Sequence, residues 1–401
     1  MDFNKKSEIL ITCPKEIPQY LEAELKALGF PVVYSRKAAV ATEGTLNDCI
    51  FLNMHIRTGH RVLWCLDKYR IQNPDVLYKN GKKLPWEDII PQKGYFSVSA
   101  SVLNDTIKDT RFASYKLKDA IVDRIREKNG SRPDSGPKED KTVIFLYWKE
   151  NDCAVYLDTS GEPLSRRGYR TNPNKAPMQE TLAAAVLMAA KYDGSTGFVN
   201  PMCGSGTLSI EAAMIATNTP AGAYRKNFGF MHIVGYDPKV YESVRKKAMD
   251  NVRKKSDIKI QASDISRDAV IAAQQNINNA GFENIIHVQR CDFRDSHLPK
   301  SGEFILVVNP EYGVRLGDVE ALAPTYEALG DFFKQKCKGS RCFIFTGNLD
   351  LAKKVGLKAA RRHIFHNSNI ECRLMEYEMY EGTKKIYNDS PNEEKSDTIK
   401  Q

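Results

Sequence analysis

The chain reads as an α/β protein: a mostly parallel, doubly wound sheet closed by an antiparallel strand, preceded by a smaller α+β region. Three observations predict this. From Pro177 onward, strand-like and helix-like segments alternate. The run 304–308 is wholly apolar, as a strand buried on both faces requires. The first half interleaves strands and helices without a parallel βαβ rhythm.

Residues 18–28 carry apolar side chains at helical spacing and stop at Gly29, a natural helix end. Short strands are expected at 32–34 and 38–42, and a second helix over 46–58. Runs rich in β-branched and aromatic residues predict strands at 61–66, 94–100, 142–148 and 152–158, the last two joined by a hairpin at 149–151. Helical periodicity spans 112–128, and Gly130, Pro133, Gly136 and Pro137 mark 129–137 as a loop. The stretch 160–174, with Pro163 and Pro173, reads as the hinge into the second half.

Beyond the hinge the expected order is helix 179–192, strand 197–200, a glycine loop, helix 208–216, strand 258–263 and helix 266–280. Strands 285–289 and 304–308, helix 321–336 and strand 341–346 continue the series. Segments 363–365 and 372–380 can pair as a hairpin that closes the sheet. Residues after about 382 are polar and expected to be disordered.

A chain of 401 residues, 42% hydrophobic, is long enough for two or three domains with real cores. No apolar run reaches the roughly 18 residues that cross a bilayer, and the first residues lack the apolar centre of a signal peptide, so a cytoplasmic protein is expected. The nine cysteines are scattered, without C-x-x-C pairs or histidine clusters at zinc spacing; a reducing compartment and no metal are expected. Net charge is +9, with 25 basic against 23 acidic residues in 1–164 and 34 against 27 in 165–401. That excess is compatible with a nucleic-acid partner without establishing one.

The loop Asn200, Pro201, Met202, Cys203, Gly204, Ser205, Gly206, Thr207 follows the first strand of the parallel sheet and opens into a helix. Its glycines permit close backbone approach, and the helix amino terminus presents free N–H groups to a phosphate or carboxylate. No lysine follows the second glycine and the spacing is not G-x-G-x-x-G, so an amino-acid carboxylate, as on S-adenosylmethionine, fits better. A ribose asks for an acidic residue at the end of the next strand. Asp237 and Asp264 compete; Asp264, followed by Ile265, is favoured because it lies between a clear strand and a clear helix. Asp292 ends the third strand, where it can reach an adenine amine with Phe293 beside the ring.

After the strand 304–308 comes Asn309, Pro310, Glu311, Tyr312. Such a turn offers an amide oxygen, a backbone carbonyl free of ladder pairing and an aromatic face, which together suit the exocyclic amine of a flat nucleobase. Ligands of open α/β sheets sit at this end of the strands.

These residues, with Ile210 to Ala213 and Gly313 to Gly317, resemble the class I S-adenosylmethionine-dependent methyltransferases that carry an N-P-P-Y turn. Segments 103–107, 116–123, 165–170 and 176–183 are similar to those of the THUMP-domain RNA methyltransferases, and in particular to the bacterial 23S rRNA guanine-N(2) methyltransferases of the RlmL type. The resemblance covers residues 8 to 382. It implies a Rossmann-like class I methyltransferase sheet over 165–382, a ferredoxin-like region over 1–58, a THUMP RNA-binding domain over 59–164, and a tail from 383 to 401. It also implies S-adenosylmethionine as cofactor, RNA as partner, and methyl transfer to the 2-amine of a guanosine. The tRNA counterpart and a catalytically inactive assembly factor are the alternatives.

As implied by the resemblance, RNA contacts fall on Asn104, Asp105, Arg111, Lys116, Arg166, Arg167, Tyr169 and Arg170. The chain departs from the family pattern in Asn200, where Asp is usual, and in Glu311, where the second Pro is usual. Some relatives carry a second methyltransferase at the carboxyl terminus; within these 401 residues none is expected.

Overall fold

The computed structural model describes residues 4–104, 109–172, 178–253, 259–299, 302–313 and 318–380, with Asp2 and Ile107. Strands β1 (Ser7–Thr12), β2 (Tyr34–Arg36), β3 (Ala39–Gly44), β4 (Arg61–Arg70), β5 (Tyr95–Leu103), β6 (Asp134–Ser135), β7 (Thr142–Lys149) and β8 (Asp152–Asp158) form one sheet in the order β2-β3-β1-β4-β8-β7-β5-β6. With them come helices α1 (Pro18–Ala27), α2 (Leu46–His55), α3 (Pro74–Gly81) and α4 (Thr110–Asn129). The long strand β4 pairs antiparallel with β1 on one side and β8 on the other, so the sheet runs unbroken through the whole first half.

The expectation of no parallel crossover there is corrected. β5 pairs parallel with β7, from Phe96 opposite Thr142 to Leu103 opposite Lys149, and α4 lies between them in sequence. Helix α3 is also absent from the expected elements. Its signal is Asn73, whose side chain accepts from Val76 N, followed by Pro74 in the first turn.

The second half holds helix α5 (Glu180–Ala189), strand β9 (Gly197–Pro201), helices α6 (Thr207–Ala216) and α7 (Pro238–Asp250), strand β10 (Ile260–Asp264) and helix α8 (Arg267–Ala280). Then follow β11 (Ile286–Arg290), β12 (Phe304–Val308), α9 (Asp318–Lys336), β13 (Arg341–Thr346), α10 (Leu349–Lys354), β14 (Arg361–Asn367) and β15 (Ile370–Glu378). The strand order is β11-β10-β9-β12-β13-β15-β14. β9 to β13 are mutually parallel, whereas β15 runs antiparallel to both neighbours, as the expected closing hairpin requires. The order reverses between β10 and β12, on either side of β9, so the crevice for a ligand opens at their carboxyl ends.

Polar contacts lock the two halves together through the hinge. Glu24, on α1, accepts from the backbone N–H groups of Arg57 and Thr58 and from the Thr58 hydroxyl. The Arg57 guanidinium donates across to Thr219 O at 2.7 Å. Arg225 donates to the carbonyls of Ser160, Glu162, Pro163 and Arg166, which holds the hinge chain in one path. Buried carbonyls left without donors would each cost a lost hydrogen bond, so one guanidinium with five N–H groups serves this irregular stretch well.

Candidate active site

Asn200, the next-to-last residue of β9, has a buried side chain whose nitrogen and oxygen are both hydrogen-bonded inside the protein. Its Nδ2 donates to Val307 O on β12 at 2.8 Å, and its Oδ1 accepts from Ser209 Oγ on α6 at 3.1 Å. Asn200 therefore pins β9, β12 and α6 to one another, and a neutral amide can donate to that carbonyl where a carboxylate could not. The loop then turns through left-handed backbone at Met202 (φ 61°), Gly204 (φ 55°) and Gly206 (φ 84°). Cys203 is buried and its N–H donates to Ser263 O, which ties the loop to β10; burial raises its thiol pKa above the usual range.

Two features of this loop suit a small anionic or hydroxylated ligand. A side chain placed on Gly204 would meet no atom within 4 Å, so open space lies against that backbone. Gly206, by contrast, packs on Ala273 of α8, where an added Cβ would lie 3.3 Å from the alanine methyl. Asp264, at the end of β10, accepts from Gly204 N at 2.9 Å through one oxygen and from Ser266 N at 2.9 Å through the other. Asp237, its rival, instead caps α7 by accepting from Lys239 N. Ile265, next to Asp264, is 67% exposed, an apolar surface that an aromatic ring could cover.

Asp292 caps the short turn after β11 and holds an ion pair with Arg294, Oδ1 to Nε 2.8 Å, which lowers its pKa. Phe293 corrects an expectation. It is buried and meets Phe332 of α9 edge to face at 5.7 Å, so its ring packs into the core beneath α9 rather than standing free at the strand end.

At the end of β12, Asn309 Oδ1 is buried and has no hydrogen-bond partner among the described residues. Pro310 is buried and Glu311 exposed. The Glu311 backbone carbonyl accepts from Tyr326 OH at 3.2 Å, which fixes the turn from α9. Tyr312 is half-buried, and burial raises its phenol pKa. Gly313 continues the turn with φ 55°; residues 314–317 lie outside the described residues.

The hinge residues do not form the RNA-facing cluster expected of them. Arg167 and Tyr169 are each 1% exposed. Arg167 Nε donates to Glu211 Oε1 at 3.2 Å, and the Tyr169 hydroxyl donates to the same oxygen at 3.2 Å. Glu211 sits fully buried on α6, so both groups are internal struts for the helix that follows the glycine loop. The physical reason is that a buried carboxylate demands a paired cation and a donor. Arg170 is largely buried too, donating to Thr207 Oγ1 and Met178 O, both at 2.8 Å, beside Glu180 at 3.3 Å.

The remaining expected RNA contacts are surface groups. Arg166 pairs with Glu162, Arg111 with Asp109 and Lys116 with Asp75 in exposed ion pairs, and Asn104 donates to Glu150 O. Asp105 lies outside the described residues. Asn276, absent from the sequence expectations, braces the glycine loop. Fully buried on α8, it donates to Ser205 O and Asn172 O and accepts from Thr171 N. The signal was present: it is the polar member of an otherwise apolar stripe, Ala269, Ala272, Ala273, Ile277 and Ala280.

Comparison with known proteins places this geometry among methyltransferases. Residues 167–376 match the RMKL-like methyltransferase domain, 72–158 the THUMP domain, and 8–63 the RlmL ferredoxin-like domain. The chain is 34% identical over 383 residues to the ribosomal RNA large subunit methyltransferase K/L of Syntrophotalea carbinolica, which covers 92% of this chain and 53% of that protein. It thus spans about half the length of the first curated relatives it matches. A provisionally named RNA methyltransferase of Synechocystis sp. is 31% identical over 357 residues, 89% of this chain and 93% of that one.

Among solved structures, a provisionally named methyltransferase complexed with SAH superposes at a TM-score of 0.85 with 25% identity, covering 96% of this chain and 100% of that one. A Listeria monocytogenes protein described as an N6-adenine-specific DNA methylase superposes at 0.84 with 26% identity, covering 94% and 97%. With more than half of its residues matched and a relative of nearly full coverage above 30% identity, the chain belongs to the RMKL-like methyltransferase family, joined to a THUMP domain and an RlmL ferredoxin-like domain.

Proposed function

We propose that this chain transfers a methyl group from S-adenosylmethionine to the exocyclic 2-amine of a guanosine in 23S rRNA. The observation that carries the reading is Asn309 Oδ1, a buried amide oxygen that has no donor among the described residues, at the carboxyl end of β12. Leaving such an acceptor unpaired costs about 1–3 kcal/mol, so its retention suits a donor that arrives with the substrate. A nucleobase amine brings two N–H groups, and the Pro310 carbonyl offers the second acceptor. The Tyr312 ring supplies a stacking face. Bound between them, the amine is held by acceptors that orient its lone pair, and no strong base is required.

S-adenosylmethionine supplies the electrophilic methyl group when bound. The residues present fit it. The open space against Gly204 and the start of α6 would receive its carboxylate end, Asp264 its ribose hydroxyls, Ile265 one face of its adenine, and Asp292 the adenine amine. In this reading the target base must be unpaired or flipped out of a helix to reach the Asn309 turn. The exposed Arg111 and Arg166, with the partly exposed Lys116 and Asn104, are the candidate RNA contacts. The reaction is assigned to the cytoplasm, where ribosomal RNA is found.

The test is methyl transfer from labelled S-adenosylmethionine to separately purified 23S rRNA, 16S rRNA, tRNA and duplex DNA, followed by nucleoside mass spectrometry. N(2)-methylguanosine in 23S rRNA supports the proposal. The same product in tRNA keeps the mechanism and moves the substrate. N6-methyladenine in DNA overturns the base assignment, and absence of cofactor binding by calorimetry overturns the activity.

A further inference from the structure

We propose that Asn367, in the turn of the carboxyl-terminal hairpin, is a positioning residue that holds the Tyr312 ring in its base-stacking place, so that Tyr312 reads its substrate by its face and not by its hydroxyl. The inference rests on the reading of the Asn309–Tyr312 turn given above. Fifty-five positions separate the two residues in sequence, yet Asn367 Nδ2 donates to Tyr312 OH at 2.9 Å.

Sheet topology explains the meeting. β13 runs parallel to β12, and β15 returns antiparallel with Arg373 opposite Thr346, so the β14–β15 turn lies at the carboxyl edge where the Asn309 turn also lies. Ser368 takes a left-handed φ of 55°, and Asn367 pairs with Ile370 to close the hairpin. The tyrosine is gripped at other points too. Its backbone carbonyl accepts from Asn348 Nδ2 at 3.4 Å. Its ring edge lies over Gly347, where an added Cβ would come within 3.0 Å of Tyr312 Cδ2 and Cε2 and 2.8 Å of Ile370 Cγ2. The hydroxyl is therefore committed to the hairpin, and only the ring face remains for a base.

The chemistry of the contact sets the test. Without the Asn367 donor the ring keeps its burial but loses the bond that fixes its tilt, a change worth roughly a three- to tenfold fall in single-turnover methyl transfer. Asn367→Ala should show that fall with cofactor affinity unchanged. Asn367→Asp should restore most of the rate, because the phenol can donate to a carboxylate where it formerly accepted. In a Tyr312→Phe background Asn367→Ala should add little, since both changes remove one hydrogen bond.

A wild-type rate in Asn367→Ala, or an effect that adds in full to Tyr312→Phe, overturns the proposal. Failure of the underlying reading looks different: wild type and Asn309→Ala would then methylate no RNA. In that case carbon-13 tyrosine spectra still decide. The resonance that vanishes in Tyr312→Phe should shift in Asn367→Ala and move back in Asn367→Asp; a resonance that stays in place refutes the contact.

Discussion

Arg167→Met separates a strut from an RNA contact. Arg167 and Glu211 are 1% and 0% exposed, with Nε and Oε1 3.2 Å apart, and the same guanidinium donates to Leu164 O and Arg57 O. Methionine keeps the apolar stem and removes the charge, leaving the Glu211 carboxylate buried with the Tyr169 hydroxyl as its remaining direct donor. Breaking one side of a buried pair costs about 3–5 kcal/mol, and the tyrosine contact places this case near 3. For a cooperative unit of the size of the methyltransferase region, each kcal/mol moves Tm by roughly 2–4 °C, so a drop of roughly 6–12 °C is expected. Scanning calorimetry reads that drop, and RNA affinity across a salt series reads charge contacts. Losing a phosphate contact would lower the salt slope by about one unit and leave Tm alone. A Tm within about 2 °C of wild type, together with a shallower salt slope, would refute the burial argument.

Asn309→Ala should lower methyl transfer by roughly 10²–10³, about 2.7–4 kcal/mol, whereas Glu311→Pro should keep it, because the Glu311 side chain is exposed. Single-turnover rates with cofactor affinity measured alongside check both, and an inactive Glu311→Pro that still binds cofactor would reverse the assignment. Gly204→Ala places a methyl in the open space of the loop at φ 55°; cofactor Kd should rise at least roughly tenfold, with about 1–2 kcal/mol of strain, and calorimetry at unchanged Kd would disprove it.

Stability should also depend on His60, which is partly buried with its Nε2 2.9 Å from Thr181 Oγ1. Burial, then Arg167 and Arg61, lowers its pKa from 6.5 to about 4. The unfolded chain takes up this proton first as pH falls, so the contribution is whole above 6.5 and is lost toward 4, at up to about 1.4 kcal/mol per pH unit. His60→Gln should flatten that part of the Tm profile, and superimposable profiles would contradict it.

Local signals made much of this molecule legible from the sequence. The strand Phe304–Val308 has the bounds its apolar run implies, because burial on both faces leaves no room for alternation. The places of the two competing aspartates follow from their flanking elements: Pro238 opens a helix that Asp237 caps, while Asp264 ends a strand and turns back onto Gly204. The sharp turns of the glycine loop are readable because Gly204 and Gly206 adopt left-handed backbone without steric cost.

Tertiary structure decided what lies far apart in sequence. An arginine in Ser165 to Arg170 reads the same whether it faces solvent or a buried carboxylate; only the approach of Glu211 on α6 made Arg167 a strut. Phe293 follows an aspartate at a strand end in either case, and the packing of α9 drew its ring into the core. The unbroken first sheet depends on β4 reaching β8, and the hold of Asn367 on Tyr312 depends on a hairpin folding back beside β13. Periodicity reports which face of an element is buried, but not which distant element buries it, because that choice is made by chain topology and by the pairing that buried charges and polar groups demand.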